Sequence, residues 1–206
     1  AAITTYSYHP TDGLMGVLAE TVVEDKEGNL WVGSGGVTRI NRRDGTKKNY
    51  RNTEGPNAGI ASNGVISGLV DSDNDIWFGT WADGFFKYNR QQDRFDQIPF
   101  DATLAGNGQR HSSLLNDQSV WHLYEDKQKN IWVSTHLGGL SKYNKHTGQF
   151  TNYTSIESDG TTLSNKLVWT TLEDSKGRFW VGTAHGLNLM DRDKGTFRRY
   201  VSDGTA

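Results

Sequence analysis

The sequence predicts an all-β protein, a β-propeller of four-stranded antiparallel blades, with four repeats present as part of a larger propeller. One motif recurs four times, and successive copies start 46, 55 and 48 residues apart. The 24 glycines favour tight turns, and 7 Trp, 8 Tyr and 8 Phe favour strands. Four short strands repeated every roughly 40–50 residues are typical of propeller blades. A solenoid of hairpins is less favoured, because its repeats are usually shorter.

The repeated motif is an eleven-residue segment that aligns without a gap in all four copies. An aspartate stands second and a tryptophan stands eighth in each copy. The copies are EDKEGNLWVGS (24–34), VDSDNDIWFGT (70–80), EDKQKNIWVST (125–135) and EDSKGRFWVGT (173–183). A large flat apolar group at a fixed position suits packing against a neighbouring blade, so we expect the four indoles in equivalent surroundings.

Each repeat predicts four strands, which we name A to D. In the third repeat they are VWHLYED, NIWVST, GLSKYN and FTNY. The A–B connection contains the aspartate followed by a residue that tolerates a positive φ in three repeats, Gly28, Asn74 and Gly177, while Lys129 is the exception. An aspartate can also accept hydrogen bonds from nearby amides, so this connection predicts a tight hairpin.

The repeats define the expected boundaries of the blades. Blades are predicted at residues 17–50, 63–98, 120–153 and 165–200, and an inserted loop at 99–119 lengthens the second spacing. Residues 1–10 are predicted to be the outer strand of a preceding blade. This phase suggests a piece of a longer array, although a closed four-bladed ring, or two chains forming an eight-bladed ring, are alternatives.

Composition excludes several functional classes. The 22 Lys and Arg against 24 Asp and Glu give a net charge of −2, which disfavours a nucleic-acid partner. The absence of cysteine excludes disulfides and cysteine-based zinc sites. No apolar run approaches the roughly 18 residues of a membrane helix, so this segment is not expected to insert directly into a membrane.

No metal and no cofactor is expected. Asp71, Asp73 and Asp75 resemble the start of a calcium loop, but Ile76 and Ala82 stand where that loop needs glycine and glutamate. The three acids are therefore interpreted as a solvated hairpin.

The four motif copies, with HLGGLSKYN and AHGLNLMD after the last two, closely resemble the two-component regulator propeller repeat. The resemblance covers about residues 17–200. In that family the propellers lie outside the cytoplasmic membrane and form the sensory part of hybrid histidine kinases, sometimes of diguanylate cyclases, and several members respond to oligosaccharides. The resemblance therefore implies a periplasmic sensing module that binds a small molecule, an oligosaccharide, and signals to a cytoplasmic output domain outside these residues.

Candidate ligand-binding residues lie in the B–C loops and D–A linkers, which share one face of a propeller. They combine aromatic faces with hydrogen-bonding groups, as a sugar site requires. The B–C loops supply Trp81, Asp83, His136 and His185, the inserted loop supplies Arg110 and His111, and strand A supplies His122 as a channel-lining residue. Trp121 and Trp169, at matching places on strand A, are expected to pack between blades instead.

Two other functions stay open. The propeller could be a structural or dimerisation module without a small-molecule ligand, forming a homodimer through its edge blades. It could also be a polysaccharide lyase or hydrolase whose acidic groups converge only on folding. The acidic residues concentrate at the A–B turns, away from the expected ligand face, so no enzymatic activity is expected in this segment.

Overall fold

The computed structural model describes residues 3–9, 11–51, 60, 64–105 and 111–202. Within these ranges the chain forms 17 strands and one short 3-10 helix, and the strands make four antiparallel sheets. The predicted all-β fold of four-stranded antiparallel blades is confirmed. The chain divides into two compact units, residues 1–97 and 98–206, which we call the N-terminal and C-terminal units.

The N-terminal unit contains two sheets, each with its strands in sequence order. The first sheet contains β1 (Thr21–Glu24), β2 (Asn29–Gly33), β3 (Val37–Asn41) and β4 (Lys47–Tyr50). The second contains β5 (Val65–Val70), β6 (Ile76–Thr80), β7 (Phe85–Asn89) and β8 (Arg94–Ile98). Strands A to D of the predicted blades correspond to these strands in order.

The C-terminal unit contains the other two sheets. The third contains β10 (Val120–Glu125), β11 (Ile131–Thr135), β12 (Leu140–Asn144) and β13 (Gln149–Tyr153). The fourth contains β14 (Val168–Glu173), β15 (Phe179–Thr183), β16 (Gly186–Asp191) and β17 (Thr196–Tyr200). A short strand β9 (His111–Ser112) adds to the outer edge of β13, so the third sheet has five strands.

Two segments differ in detail from the expected layout. The insertion at 99–119 is not loop throughout, since it includes the 3-10 helix Ala102–Leu104 and β9. Strand β9 pairs with the free edge of β13, where backbone groups would otherwise lack partners. Within residues 3–9, Tyr8 forms an isolated bridge to Leu14 and no longer strand is present. Their assignment to the outer strand of a preceding blade stays a prediction.

The repeated aspartate and tryptophan are joined by a hydrogen bond. In each sheet the indole Nε1 donates to the aspartate Oδ2, while Oδ1 accepts from the backbone N–H four residues after the aspartate. The indole bonds are Trp31–Asp25 2.7 Å, Trp77–Asp71 3.0 Å, Trp132–Asp126 2.7 Å and Trp180–Asp174 3.0 Å. One carboxylate therefore closes the hairpin and fixes the indole, which explains why the two residues recur at one spacing.

The A–B hairpins have the predicted backbone conformation. Gly28, Asn74 and Gly177 have φ values of 82°, 67° and 76°. Lys129 also has a positive φ, 64°, although it carries a side chain that disfavours this region. The network around Asp126 holds the third hairpin in the same shape as the others.

One repeated indole lies in the core of each unit, Trp31 in the N-terminal unit and Trp132 in the C-terminal unit. Trp31 packs across to the second sheet, with its ring centre 4.7 Å from that of Tyr88. Trp132 packs in the same way against Phe179 of the fourth sheet, at 4.5 Å. Both indoles are buried, so the predicted role in packing neighbouring blades is confirmed for Trp31 and Trp132. Trp180 in the fourth sheet is only partly buried and packs against Tyr200 of the same sheet, so the four indoles do not have fully equivalent surroundings.

Candidate functional site

One end of each sheet carries both kinds of loop expected to bind ligand. The first N–H of the B–C loop donates to a carbonyl just before strand A in the last three sheets. These bonds are Trp81 to Gly64 2.9 Å, His136 to Ser119 3.2 Å and Ala184 to Leu167 3.0 Å. We call this end of each sheet its loop face.

Strand A carries a β-bulge beside the loop face in the last three sheets. In β10, Val120 pairs with Thr135 and His122 with Ser134, so Trp121 is the extra residue. The equivalent residues are Ile66 in β5 and Trp169 in β14. A bulge adds one unpaired residue and redirects its side chain.

The spacing of buried residues explains this bulge. Val120 and Leu123 are both buried although they are three residues apart. In a regular strand they would point to opposite faces, because side chains alternate. The extra residue lets both reach the core and turns Trp121 towards the loop face.

Three rings form an aromatic stack at the loop face of the C-terminal unit. The ring of Trp121 lies nearly parallel to that of His136, at 10° with 5.0 Å between centres. Trp169 lies on the neighbouring strand A, with its ring centre 4.2 Å from that of Trp121 and tilted by 54°. Trp169 is 50% exposed. The stack of His136, Trp121 and Trp169 therefore ends in a half-exposed indole.

Two buried polar residues hold the loop that carries His136. Oδ2 of Asp117 accepts hydrogen bonds from the N–H groups of Leu137 and Gly138, and Oδ1 accepts from Ser119 N at 3.0 Å. Asn116 Nδ2 donates to Gly138 O at 2.9 Å. The backbone beneath His136 is thereby fixed from the D–A linker.

His122 follows the bulge and faces the neighbouring sheet. Its Nδ1 lies 3.5 Å from Oγ1 of Thr171 on β14. Burial lowers the pKa of His122 below its ordinary value and so favours the neutral imidazole. Of the predicted site residues, His136 and His122 are the two that lie beside Trp121.

Of the remaining predicted residues of the C-terminal unit, His111 and His185 lie within the described ranges. His111 is on β9 at the outer edge of the third sheet, where its Nδ1 is 3.5 Å from Thr151 Oγ1. His185 is exposed in the B–C loop of the fourth sheet, and its backbone N–H donates to Thr183 Oγ1. Arg110 lies outside the described residues.

The N-terminal unit presents a different loop face. Trp81 is 54% exposed in the B–C loop of the second sheet. Asp83 in the same loop donates from its backbone N–H to Thr80 Oγ1 at 2.9 Å, and its carbonyl accepts from Gln97 Nε2. A separate cavity of about 200 Å³ is lined by Gly16, Val17, Leu18, Glu20, Ser34, Gly35 and Gly64.

The part of the site that sequence reasoning missed is the role of Trp121 and Trp169. The expected packing between neighbouring sheets is confirmed by their contact, but it leaves half of Trp169 exposed. The sequence does contain a pattern that indicates the bulge at Trp121. Apolar residues three apart in a predicted strand, such as Val120 and Leu123, break the period of two and indicate a bulge between them.

The chain matches the family described as two component regulator propeller in three segments, residues 14–36, 114–136 and 162–185. The second segment contains Trp121 and His136, and the third contains Trp169 and His185. The matching family describes a propeller repeat and not a catalytic domain. In the described ranges no helix is long and apolar enough to cross a membrane.

A curated relative and two solved structures are similar to the chain. It is 35% identical over 192 residues to "Histidine kinase P4" of Formosa agariphila, covering 89% of this chain and 13% of that protein. The extracellular domain of BT3049 of B. thetaiotaomicron, assigned to a hybrid two component system, superposes with a TM-score of 0.69 at 26% identity, covering 96% of this chain and 24% of that one.

The extracellular domain of BT4673 from the same organism shares the fold, with a TM-score of 0.67 at 20% identity, over 94% of this chain and 23% of that one. The chain thus spans about a quarter or less of the length of these proteins. The four repeats, their common hairpins and these similarities show that the chain belongs to the two-component regulator propeller family.

Proposed function

We propose that the chain is a ligand-sensing propeller region of a transmembrane two-component regulator of the hybrid histidine kinase type. It binds an oligosaccharide in the periplasm, and this binding produces a signal that is passed to a cytoplasmic output domain. The similarity to a histidine kinase and to extracellular domains of two-component systems supports this function. The segment itself senses and does not catalyse.

The half-exposed aromatic rings at the loop faces carry the proposal. Trp169 ends the aromatic stack in the C-terminal unit, and Trp81 stands on the B–C loop of the second sheet. An indole face carries partial negative charge and attracts the weakly positive C–H groups of a sugar ring. Binding loops on a rigid scaffold are also the usual location of recognition sites.

A structural or dimerisation role is the second candidate, and one observation favours it. The fourth sheet has partly exposed apolar side chains, among them Leu172, Leu187 and Tyr200. Such residues suit a protein interface. This candidate predicts association without any effect of sugars.

Thermal unfolding of the purified protein with a panel of oligosaccharides tests the proposed function. A ligand that binds only the folded state at a hundredfold excess over its Kd adds about 2.7 kcal/mol of stability. We expect a rise in Tm with one oligosaccharide, and a smaller rise when an aromatic residue of the loop face that binds it is truncated, by His136→Ala in the C-terminal unit or by Trp81→Ala in the N-terminal unit. An unchanged Tm across the panel, together with a dimer in solution, would favour the structural role instead.

A further inference from the structure

We propose that the aromatic stack is a binding site for one pyranose ring of the oligosaccharide, with Trp169 as the residue in contact with the sugar. Trp121 and His136 are positioning residues, because Trp121 packs against Trp169 and His136 stacks on Trp121. This inference rests on the proposed function and locates its site in the C-terminal unit.

The order of the rings determines which one is available. Trp121 is the middle ring, since His136 stacks on it at 5.0 Å and Trp169 contacts it at 4.2 Å. Trp169 is the end ring, and half of its surface is exposed. Of the three rings Trp169 is the most exposed, so it is the one that the ligand contacts.

The backbone around Trp169 fixes the direction of its side chain. Val168 pairs with Thr183 and Thr170 pairs with Gly182, so Trp169 is the unpaired residue of the bulge. Val168 is buried and anchors one side of the bulge. A contact residue held in this way loses little conformational freedom on binding, which favours affinity.

The support of the stack is equally well defined. Asp117 accepts hydrogen bonds from Leu137 and Gly138, which directly follow His136. His136 in turn lies nearly parallel to Trp121. A path of direct contacts thus leads from a buried carboxylate to the exposed indole.

The stack is a property of the C-terminal unit. In the second sheet the residue at the bulge is Ile66, which offers no flat ring. The loop face of the fourth sheet also carries His185, an exposed side chain that can exchange hydrogen bonds with sugar hydroxyls. A flat ring with a polar group at the same end of the sheet suits a pyranose, which has one apolar face and a polar rim.

Titration calorimetry of the purified protein with laminarihexaose, cellohexaose, mannohexaose and hexagalacturonic acid tests the site. We expect one of these probes to bind, and Trp169→Ala to weaken it by about tenfold or more, as for a central contact residue. Trp169→Phe keeps a ring and should lose about threefold or less. Leu172→Ala is the matched control, because Leu172 lies on the same strand and is 57% exposed.

The positioning residues need a separate measurement. His136→Ala should weaken binding of the same probe, and His136→Phe should restore it, because a flat ring again supports Trp121. A loss in both variants with unchanged Tm would contradict a stacking role. Melting of each variant without sugar establishes that it is folded.

Three outcomes separate this inference from the proposed function. Binding that Trp169→Ala and Trp169→Phe leave unchanged overturns the site and leaves the function standing. Binding that Trp81→Ala abolishes, with Trp169→Ala unaffected, moves the site to the N-terminal unit and also overturns the inference. No heat and no change in Tm with any probe contradicts both.

Discussion

The Tyr50 hydroxyl donates a 2.6 Å hydrogen bond to Oδ1 of Asp93, which joins the first sheet to the second. The Tyr88 hydroxyl donates to the same oxygen at 2.6 Å, and Lys48 pairs with the other carboxylate oxygen. Asp93 has a φ of 49° at a turn where the other three sheets have Gly45, Gly148 and Gly195, all with positive φ. An aspartate therefore replaces the glycine where its carboxylate can link two sheets.

The hydrogen bonds of Asp93 predict that the free energy of unfolding falls in the order wild type, Asp93→Gly, Asp93→Ala. Asp93→Ala keeps the strained φ and loses the hydrogen bonds, so we expect the free energy of unfolding to fall by about 2 kcal/mol. Asp93→Gly relieves the strain and should lose less. Urea unfolding measures both.

Gly148→Ala is the control for the backbone cost, because φ there is 69° and an added Cβ would meet no atom within 4 Å. It should lose about 1 kcal/mol. If Asp93→Gly proved more stable than the wild type, the carboxylate would not be a net stabilising link.

Acid should weaken the same link. Burial opposes ionisation of Asp93, but hydrogen bonds from Lys48, Tyr50 and Tyr88 outweigh it and lower its pKa from 3.8 to about 2. A group with a lowered folded-state pKa stabilises the protein fully above its unfolded-state value, and this contribution is lost as the pH falls from about 4 to 2. Asp93→Asn should therefore show a smaller fall in Tm than the wild type over this window. Parallel curves for the two proteins would show that Asp93 does not contribute.

The repeated aspartate should contribute more to the free energy of unfolding where its indole partner is buried. Asp126→Ala removes the acceptor of the Trp132 indole and of two backbone N–H groups, so we expect a loss of about 2–3 kcal/mol. Asp174→Ala removes the corresponding indole and backbone bonds, and an exposed ion pair with Arg178, around Trp180, which is less buried and can turn to water. Chemical denaturation should show a smaller loss of stability for Asp174→Ala than for Asp126→Ala. Equal losses would show that burial of the unpaired indole N–H is not the cause of the destabilisation.

The carboxylate of Asp117 should control the order of the loop that carries His136. Asp117→Ala leaves the N–H groups of Leu137 and Gly138 without their acceptor, so their hydrogen exchange should become about tenfold faster or more. Exchange measured by NMR reports both amides directly. Asp83→Ala, in the corresponding loop of the second sheet, is the control and should leave the exchange of these two amides unchanged. Unchanged exchange in Asp117→Ala would show that other contacts hold the loop.

The fold follows from local sequence because the decisive contacts are local. Asp126 and Trp132 are six residues apart and form one hydrogen-bonded hairpin, so the repeat itself encodes the turn, the indole position and the strand order. Even Lys129 adopts the positive φ of its glycine and asparagine counterparts. The hairpin network and not the turn residue determines this shape.

The site was only partly predictable because its contacts are between sheets. The B–C loop identifies His136 as a candidate, but its stacking on Trp121 depends on a bulge, and the partner Trp169 comes from the next sheet. The sequence places His111 in the inserted loop, yet it pairs with Thr151 through a strand of two residues, which is too short to show a periodic pattern. The sequence likewise does not indicate that Asp93 links two sheets, because its partner Tyr50 lies more than forty residues away.

Indole N–H signals in an NMR titration show directly whether the sugar contacts Trp169. The protein has seven tryptophans, and their Nε1–H signals can be assigned by single Trp→Phe substitutions. Adding the oligosaccharide that binds should shift the Trp169 signal most and the Trp121 signal next, while the buried Trp31 and Trp132 signals stay in place. A shift confined to Trp81, or binding with no change at Trp169, would show that the sugar does not bind at the aromatic stack.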